Sequence, residues 1–181
     1  ESMIGQSKRI NRLINDLLNI SLITTGKMKL EKERVDLREV VTEVTKRLKE
    51  QAESSGSTIS VEDGKGIVGT WDKIRLEQVV TNLVTNAIKY GNGKPILVSL
   101  TSTKSRATLV VSDQGIGIPE SKQQAIFDRF KRATSAKQSI KGLGVGLYLV
   151  QQIVNAHGGT IEVKSKVNKG SSFTIELPIR N

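Results

Sequence analysis

Residues 28–181 alternate between two hydrophobic periods, and this alternation limits the fold more than any other feature of the chain. Apolar residues that recur every three or four positions indicate amphipathic helices, and those that alternate with polar residues indicate strands with one buried face. We predict strands at 28–35, 58–61, 67–70, 96–102, 107–112, 160–166 and 172–178, and helices at 37–50, 72–90 and 145–156. A further short helix is predicted to begin at Pro119, a favoured first-turn residue. The region is therefore predicted to be a mixed α/β domain.

The first 26 residues follow a different pattern, a heptad seam. Its core positions are Met3, Ile10, Leu13, Leu17 and Ile20. A helix with so strong an apolar stripe needs a partner to bury it. Gly26 then interrupts the pattern, so we predict a coiled-coil-like helical stump over 1–26 and a separate domain over 27–181.

Composition excludes several classes of chemistry. The chain has no cysteine, which removes disulfides, thiol nucleophiles and cysteine-bound metals. Its net charge of +10 could attract a polyanion, but the basic residues are dispersed and the chain holds only three Phe, two Tyr and one Trp for base stacking. We therefore expect a solvated basic surface and no nucleic-acid partner. The sequence contains neither a signal peptide pattern nor an apolar run of membrane-spanning length, so we expect a cytoplasmic domain, with membrane anchoring of the intact protein left open.

The predicted helix 72–90 has two chemically different faces. Its apolar stripe is opposite a polar group that comprises Asn82, Asn86, Lys89 and Tyr90. Two carboxamides four residues apart can hold a metal–phosphate unit, with a cation and an aromatic ring one turn further on. A solvated polar face would have the same pattern, so the helix alone leaves both interpretations open.

Two glycine-rich motifs flank a pair of phenylalanines. Asp113, Gly115 and Gly117 directly follow a predicted strand, in a pattern that also suits an ordinary turn. Phe127 and Phe130, three residues apart, would on their own indicate core packing on a helix. The segment 142–147 carries three alternating glycines into a helix, and a helix N-terminus of this kind can cradle phosphate. It matches neither the Walker motif nor the dinucleotide-binding fingerprint.

In this order, the four motifs resemble the N, G1, F and G2 boxes of sensor histidine kinases, which belong to the superfamily of gyrase and MutL ATPases. The resemblance implies an α/β sandwich of the Bergerat type, a mixed sheet of about five strands with helices on one face. Residues 1–26 are similar to the C-terminal part of the family's dimerisation and phosphoacceptor domain, and 27–181 to its ATP-binding catalytic domain.

The resemblance also implies roles for individual residues. Asn86 would bind Mg²⁺ with help from Asn82, and Asp113 would accept a hydrogen bond from the adenine amino group, with Thr174 close by through water. Lys89 and Arg132 would act on the phosphates, with Arg129 as a weaker candidate for the role of Arg132. The expected ATP site comprises Asn82, Asn86, Lys89, Tyr90, Asp113, Gly115, Gly117, Ile118, Gly142, Leu143, Gly144, Val145, Gly146, Leu147 and Thr174.

The implied activity is transfer of the ATP γ-phosphate to a histidine on the upstream helical domain of a homodimer, for relay to a response regulator in signal transduction. Gyrase- and MutL-type ATPases carry a glutamate base four residues before the metal-binding asparagine, where this chain has Asn82. Glu77 is on another face of the same helix by helical count. The pattern therefore favours a kinase over a hydrolase.

The only histidine, His157, is at a predicted helix end and precedes two glycines, so we interpret it as structural. The family's acceptor histidine is mid-helix and upstream, and we expect this chain alone to bind ATP without autophosphorylation. Two alternatives of the same fold stay open. An anti-sigma-type serine kinase would lack the stump and the phenylalanine motif, whereas an ATP-binding conformational switch would keep every motif without catalysis.

Overall fold

The computed structural model describes Ile14, Ser21 and residues 28–62, 64–129 and 144–179. Its strands are β1 (Glu33–Asp36), β2 (Ile59–Val61), β3 (Val68–Trp71), β4 (Ile96–Ser102), β5 (Arg106–Asp113), β6 (Thr160–Lys166) and β7 (Gly170–Pro178). Its helices are α1 (Leu37–Ser54), α2 (Lys73–Tyr90) and α3 (Gly146–Ala156), with short 3₁₀ turns at Glu120–Lys122 and Ala125–Phe127. The predicted heptad seam and the boundary at Gly26 fall outside the described residues, apart from the two isolated positions.

Five strands form one mixed sheet in the order β2-β4-β5-β7-β6. β2 runs parallel to β4, and all other neighbours in this sheet are antiparallel. β1 and β3 form a separate antiparallel ribbon. The predicted mixed sheet of about five strands is confirmed.

The two faces of the sheet differ because side chains alternate along each strand. On β5, Ala107, Leu109 and Val111 are buried, and on β7 the buried apolar side chains are Phe173, Ile175 and Leu177. These side chains share one face with the helices, which pack on the sheet and on one another to form the core. Burying an aliphatic or aromatic side chain of this size contributes about 1.5–3 kcal/mol, so this face is a main source of stability.

The helix α2 has the bounds that the sequence predicts. Asp72 caps its N-terminus, with its carboxylate accepting a hydrogen bond from the backbone N–H of Arg75 at 3.0 Å. The helix ends at Tyr90, where Gly91 follows as C-cap. A Cβ atom at Gly91 would overlap the carbonyl oxygen of Ala87, so this close turn requires glycine.

Two predicted elements are shorter than expected. The strand predicted at 28–35 begins only at Glu33, because the backbone N–H of Glu31 donates to the Asp72 carboxylate at 2.9 Å and not to a neighbouring strand. The helix predicted from Pro119 is a single 3₁₀ turn. Phe127 is likewise in a 3₁₀ turn and not on an α-helix, and Phe130 is outside the described residues.

Candidate nucleotide-binding site

The C-terminal half of α2 carries the two predicted carboxamides, and Asn82 lies against the start of α3. Asn82 is buried and Asn86 is half-buried. A Cβ atom added to Gly146 would be 3.2 Å from Oδ1 of Asn82. The first residue of α3 therefore packs closely against the Asn82 side chain, and this contact brings the motif on α2 together with the second glycine motif.

Neither carboxamide has a side-chain hydrogen-bond partner among the described residues. Neither carboxamide is a fully buried unpaired group, because among the described residues only the Ser57 hydroxyl is one, so the amide atoms are open to a ligand or to water. Asn82 and Asn86 thus supply free donors and acceptors one helical turn apart. This arrangement fits a polar ligand with several oxygen atoms.

Lys89 and Tyr90 complete the polar face of α2, and both are half-buried. The Lys89 ammonium lies over the Tyr90 ring, with Nζ 4.9 Å from the ring centroid. This is a cation–π contact, which holds the charge beside the ring. The predicted cation and aromatic ring are therefore together at the end of α2.

Asp113 is at the end of β5, half-buried, and its Oδ1 accepts a hydrogen bond from the backbone N–H of Gly115 at 2.8 Å. Burial raises the pKa of this carboxyl group, while hydrogen bonds from the backbone of Gly115 and Ser171 oppose the rise. Gly115 must be glycine because a Cβ atom there would overlap the carbonyl oxygen of Tyr90. The backbone N–H of Ile116 donates to that same oxygen at 3.1 Å, so the loop after β5 is fixed to the end of α2.

The loop after β5 also packs on the turn between β6 and β7. Gly117 has φ of +67°, and a Cβ atom there would overlap the carbonyl oxygen of Lys166. The backbone N–H of Ile118 donates to Oγ of Ser165 at 2.7 Å. This places the expected binding residues Gly117 and Ile118 against the hairpin that closes the domain.

The expectation that Thr174 lies near Asp113 is wrong. In the β5–β7 register Asp113 pairs with Ser171, whereas Thr174 pairs with Val110. Thr174 is three residues beyond Ser171, so it points to the opposite face of the sheet. The residue opposite Asp113 is Ser171. The sequence could have indicated this, because Ser171 is two residues before the buried Phe173 and therefore on the same face of the strand.

The second glycine motif is described only in part. Gly144 has φ of +73°, Val145 is buried, and Leu147 packs against the core. Gly142, Leu143 and Arg132 are outside the described residues. The site at this end is therefore defined by Gly144 and Gly146.

Arg129, the weaker candidate for phosphate contact, is engaged elsewhere. Its Nη2 donates to the Tyr148 hydroxyl at 2.7 Å, and its guanidinium lies 4.7 Å from the centroid of the Tyr148 ring. Tyr148 is near the start of α3, so this pair joins the end of the second 3₁₀ turn to that helix.

His157 has a structural environment. Its Nε2 accepts a hydrogen bond from the backbone N–H of Asp72 at 3.0 Å, and its Nδ1 is 2.8 Å from the carbonyl oxygen of Ile153. Because a carbonyl only accepts, Nδ1 carries the proton and the ring is neutral. Burial is the main cause that lowers the pKa of His157, and the Lys32 charge lowers it further. Both ring nitrogens are thus occupied, as the structural interpretation of His157 predicts.

Glu77, the only acidic residue of α2, points away from the carboxamides. Its carboxylate is 3.6 Å from the Arg47 guanidinium of α1. Within the described residues, no group of three His, Cys, Asp or Glu side chains could hold a metal ion. No helix among them is long and apolar enough to cross a membrane.

Comparison with known proteins identifies this arrangement. The model of the "Histidine kinase-, DNA gyrase B-, and HSP90-like ATPase" family matches residues 71–181, so the chain belongs to this family. Within it, the chain carries an ATP-binding catalytic domain of the sensor histidine kinase type.

Individual relatives agree. The sensor protein SrrB of Staphylococcus aureus is 34% identical over 178 residues, which cover 97% of this chain and 30% of the relative. The histidine kinase AdeS of Acinetobacter baumannii has a TM-score of 0.81 at 26% identity, covering 98% of this chain and 82% of that one. The mycobacterial sensor histidine kinase MprB has a TM-score of 0.71 at 31% identity, covering 82% and 98%. The chain thus spans about 30% of the length of the curated relatives that it matches.

Proposed function

We propose that this chain binds MgATP and transfers the γ-phosphate to a histidine on the helical domain of a two-component sensor kinase, from which the phosphate passes to a response regulator. In this proposal residues 1–26 are the end of the dimerisation and phosphoacceptor domain, and 27–181 form the catalytic domain. The intact kinase is a homodimer with its catalytic domain in the cytoplasm, where ATP is available.

The absence of a carboxylate at position 82 is the observation that favours phosphotransfer over hydrolysis. A hydrolytic relative needs a carboxylate at this position to activate water, and a carboxamide has no basic group for that purpose. Glu77 does not substitute, because it is paired with Arg47 on the α1 side of the helix. Transfer to a protein side chain relies instead on positioning and charge stabilisation, which this site can supply.

The residues present fit a magnesium ion. Mg²⁺ keeps several waters and is commonly held by one or two protein oxygens together with substrate phosphates. Asn86 is the proposed protein ligand, with Asn82 beside it, and both carboxamides lack other partners among the described residues. When bound, the ion would neutralise charge on the phosphates.

The remaining roles are those that the family resemblance implies, and the positions of Asp113, Tyr90 and Lys89 support them. Asp113 accepts a hydrogen bond from the adenine amino group, and Tyr90 packs against the base. Lys89 and Arg132 act on the phosphates. The glycines of 142–146 give the phosphates access to backbone N–H groups at the start of α3.

Labelled ATP and a separately produced phosphoacceptor helical domain test the proposal. We expect acid-labile label on the acceptor histidine only when acceptor domain, Mg²⁺ and this chain are all present. Asn86→Ala should abolish transfer and remove the Mg²⁺ dependence of ATP binding, whereas Asn155→Ala, an exposed asparagine of α3, is the matched control and should behave as wild type. Steady phosphate release without acceptor, at the rate of transfer, would contradict the kinase assignment.

A further inference from the structure

Ser165, on β6, is the centre of a polar cluster of which only Ile118 belongs to the expected ATP site. Its Oγ accepts the backbone N–H of Ile118 at 2.7 Å and donates to the carbonyl oxygen of Gly170 at 2.8 Å. It is also 2.9 Å from Oγ of Ser171. The Gln123 side chain reinforces the cluster, because its Nε2 donates to the carbonyl oxygens of Ile118 at 3.1 Å and Ser165 at 2.8 Å.

The positions of the protons in this cluster follow from counting donors. A serine hydroxyl has one proton, and a carbonyl oxygen only accepts. Ser165 gives its proton to Gly170, so its contact with Ser171 is a hydrogen bond only if Ser171 is the donor. The Ser171 proton therefore points toward Ser165, and the Ser171 oxygen offers only lone pairs to any other neighbour.

Ser171 is also the cross-strand partner of Asp113, on the same face of the sheet. The Ser171 backbone also lowers the pKa of the Asp113 carboxyl group and so favours its ionised form. With the Ser171 proton committed to Ser165, the end of the sheet presents two neighbouring acceptors, the carboxylate and the hydroxyl oxygen. Two acceptors favour a base edge that carries an amino group and disfavour one that carries a carbonyl, whose oxygen would meet no donor.

We propose that Ser165 is a positioning residue for base selection, which fixes the Ser171 hydroxyl as an acceptor beside Asp113 and holds Ile118 in place. This inference rests on the proposed function, in which Asp113 binds the adenine. Without the Ser165 hydroxyl, Ser171 becomes free to rotate and to donate to a purine carbonyl. Discrimination against a 6-oxo purine should then weaken although Asp113 is unchanged.

The test compares the dissociation constants of ATP and ITP by titration calorimetry with Mg²⁺. The base of ATP has an amino group at position 6 and no proton on N1, whereas the base of ITP has an oxo group at position 6 and a proton on N1, so the carbonyl contact is the one that a donating Ser171 would gain. Ser165→Ala should reduce the ratio of the two constants about fivefold, the equivalent of one neutral hydrogen bond of ~1 kcal/mol. Ser165→Thr keeps the hydroxyl and should restore the ratio. Ser172→Ala is the matched control, because Oγ of Ser172 is 2.9 Å from Oγ of Ser112 in an equivalent pair on the other face of the sheet. Its ratio should stay that of the wild type.

The outcomes separate this inference from the proposed function. Failure of the wild type to bind ATP, or an unchanged ratio in Asp113→Asn, would reject the proposed base site. Two outcomes would reject only the role of Ser165. In the first, selectivity depends on Asp113 but Ser165→Ala leaves the ratio of the ATP and ITP dissociation constants unchanged. In the second, Ser165→Ala weakens the binding of ATP and of ITP equally. If Ser165→Ala does not fold, Ser171→Ala gives the second measurement, and a ratio equal to that of the wild type would refute the inference.

Discussion

Replacing His157 with leucine should destabilise the domain, because the imidazole is 2% exposed and bonded through both nitrogens. The backbone N–H of Asp72 would lose its acceptor, and an unsatisfied buried donor costs about 1–3 kcal/mol. The Ile153 carbonyl keeps a helical partner, the backbone N–H of His157 at 3.1 Å, so the second loss is only the net value of one hydrogen bond, about 0.5–1.5 kcal/mol. Leucine fills a similar volume and offsets part of this through apolar burial. We expect a net loss of about 2 kcal/mol.

Denaturant unfolding followed by tryptophan fluorescence measures this change. Trp71 is the only tryptophan, is 1% exposed and directly precedes Asp72, so its emission reports on the affected region. The denaturant concentration at the unfolding midpoint should fall, and the dependence of the unfolding free energy on denaturant concentration should stay the same. Ala156→Ser, at the exposed neighbouring position, is the control and should change stability by less than about 0.5 kcal/mol.

The pH dependence supplies an independent check of the same contact. Since the folded-state pKa of His157 is lowered from 6.5, the unfolded chain takes up a proton first as the pH falls. The stability that the neutral His157 side chain contributes is present above pH 6.5. It is lost as the pH falls from 6.5 through the folded-state pKa of His157. His157→Leu lacks the titration, so the stability gap between the two proteins should narrow on acidification. Equal midpoints at neutral pH, or parallel pH profiles, would refute the structural role of His157.

Three further predictions concern the nucleotide site. Gly146→Ala places a methyl group 3.2 Å from Oδ1 of Asn82. It should weaken MgATP binding about tenfold (~1.4 kcal/mol) in titration calorimetry and leave the thermal unfolding midpoint unchanged. An unaltered affinity would argue against Asn82 in the site. Because burial raises the pKa of Asp113 above 3.8 and the base needs the ionised carboxylate, ATP affinity should be full above the raised pKa and fall as the pH drops through it. Asp113→Asn should lose this pH dependence, and an identical pH profile in both proteins would contradict the assignment. The chain alone should not autophosphorylate in a labelling assay; acid-labile label that disappears in His157→Gln would overturn this expectation.

The sequence by itself determined the elements whose signals are local. The cap at Asp72 and the apolar stripe fix α2, and together with it the face that carries Asn82 and Asn86. Strand alternation gave β4 at its observed bounds. These features depend on the chain's own periodicity and capping, which neighbouring residues alone specify.

Only the tertiary structure decided which strand residues lie beside one another. Glu31 is not in a strand because its N–H meets the carboxylate of Asp72, 41 residues away. Ser171, and not Thr174, lies opposite Asp113 because the register of β5 on β7 sets the pairing, and a shift of one residue in register exchanges the two faces of a strand. The packing of the β6–β7 hairpin on the loop after β5 likewise decides that Ser165 contacts Ile118 and Ser171. Contacts between segments distant in sequence leave no periodic signal in either segment, so the local pattern could locate the motifs but not the residues that position them.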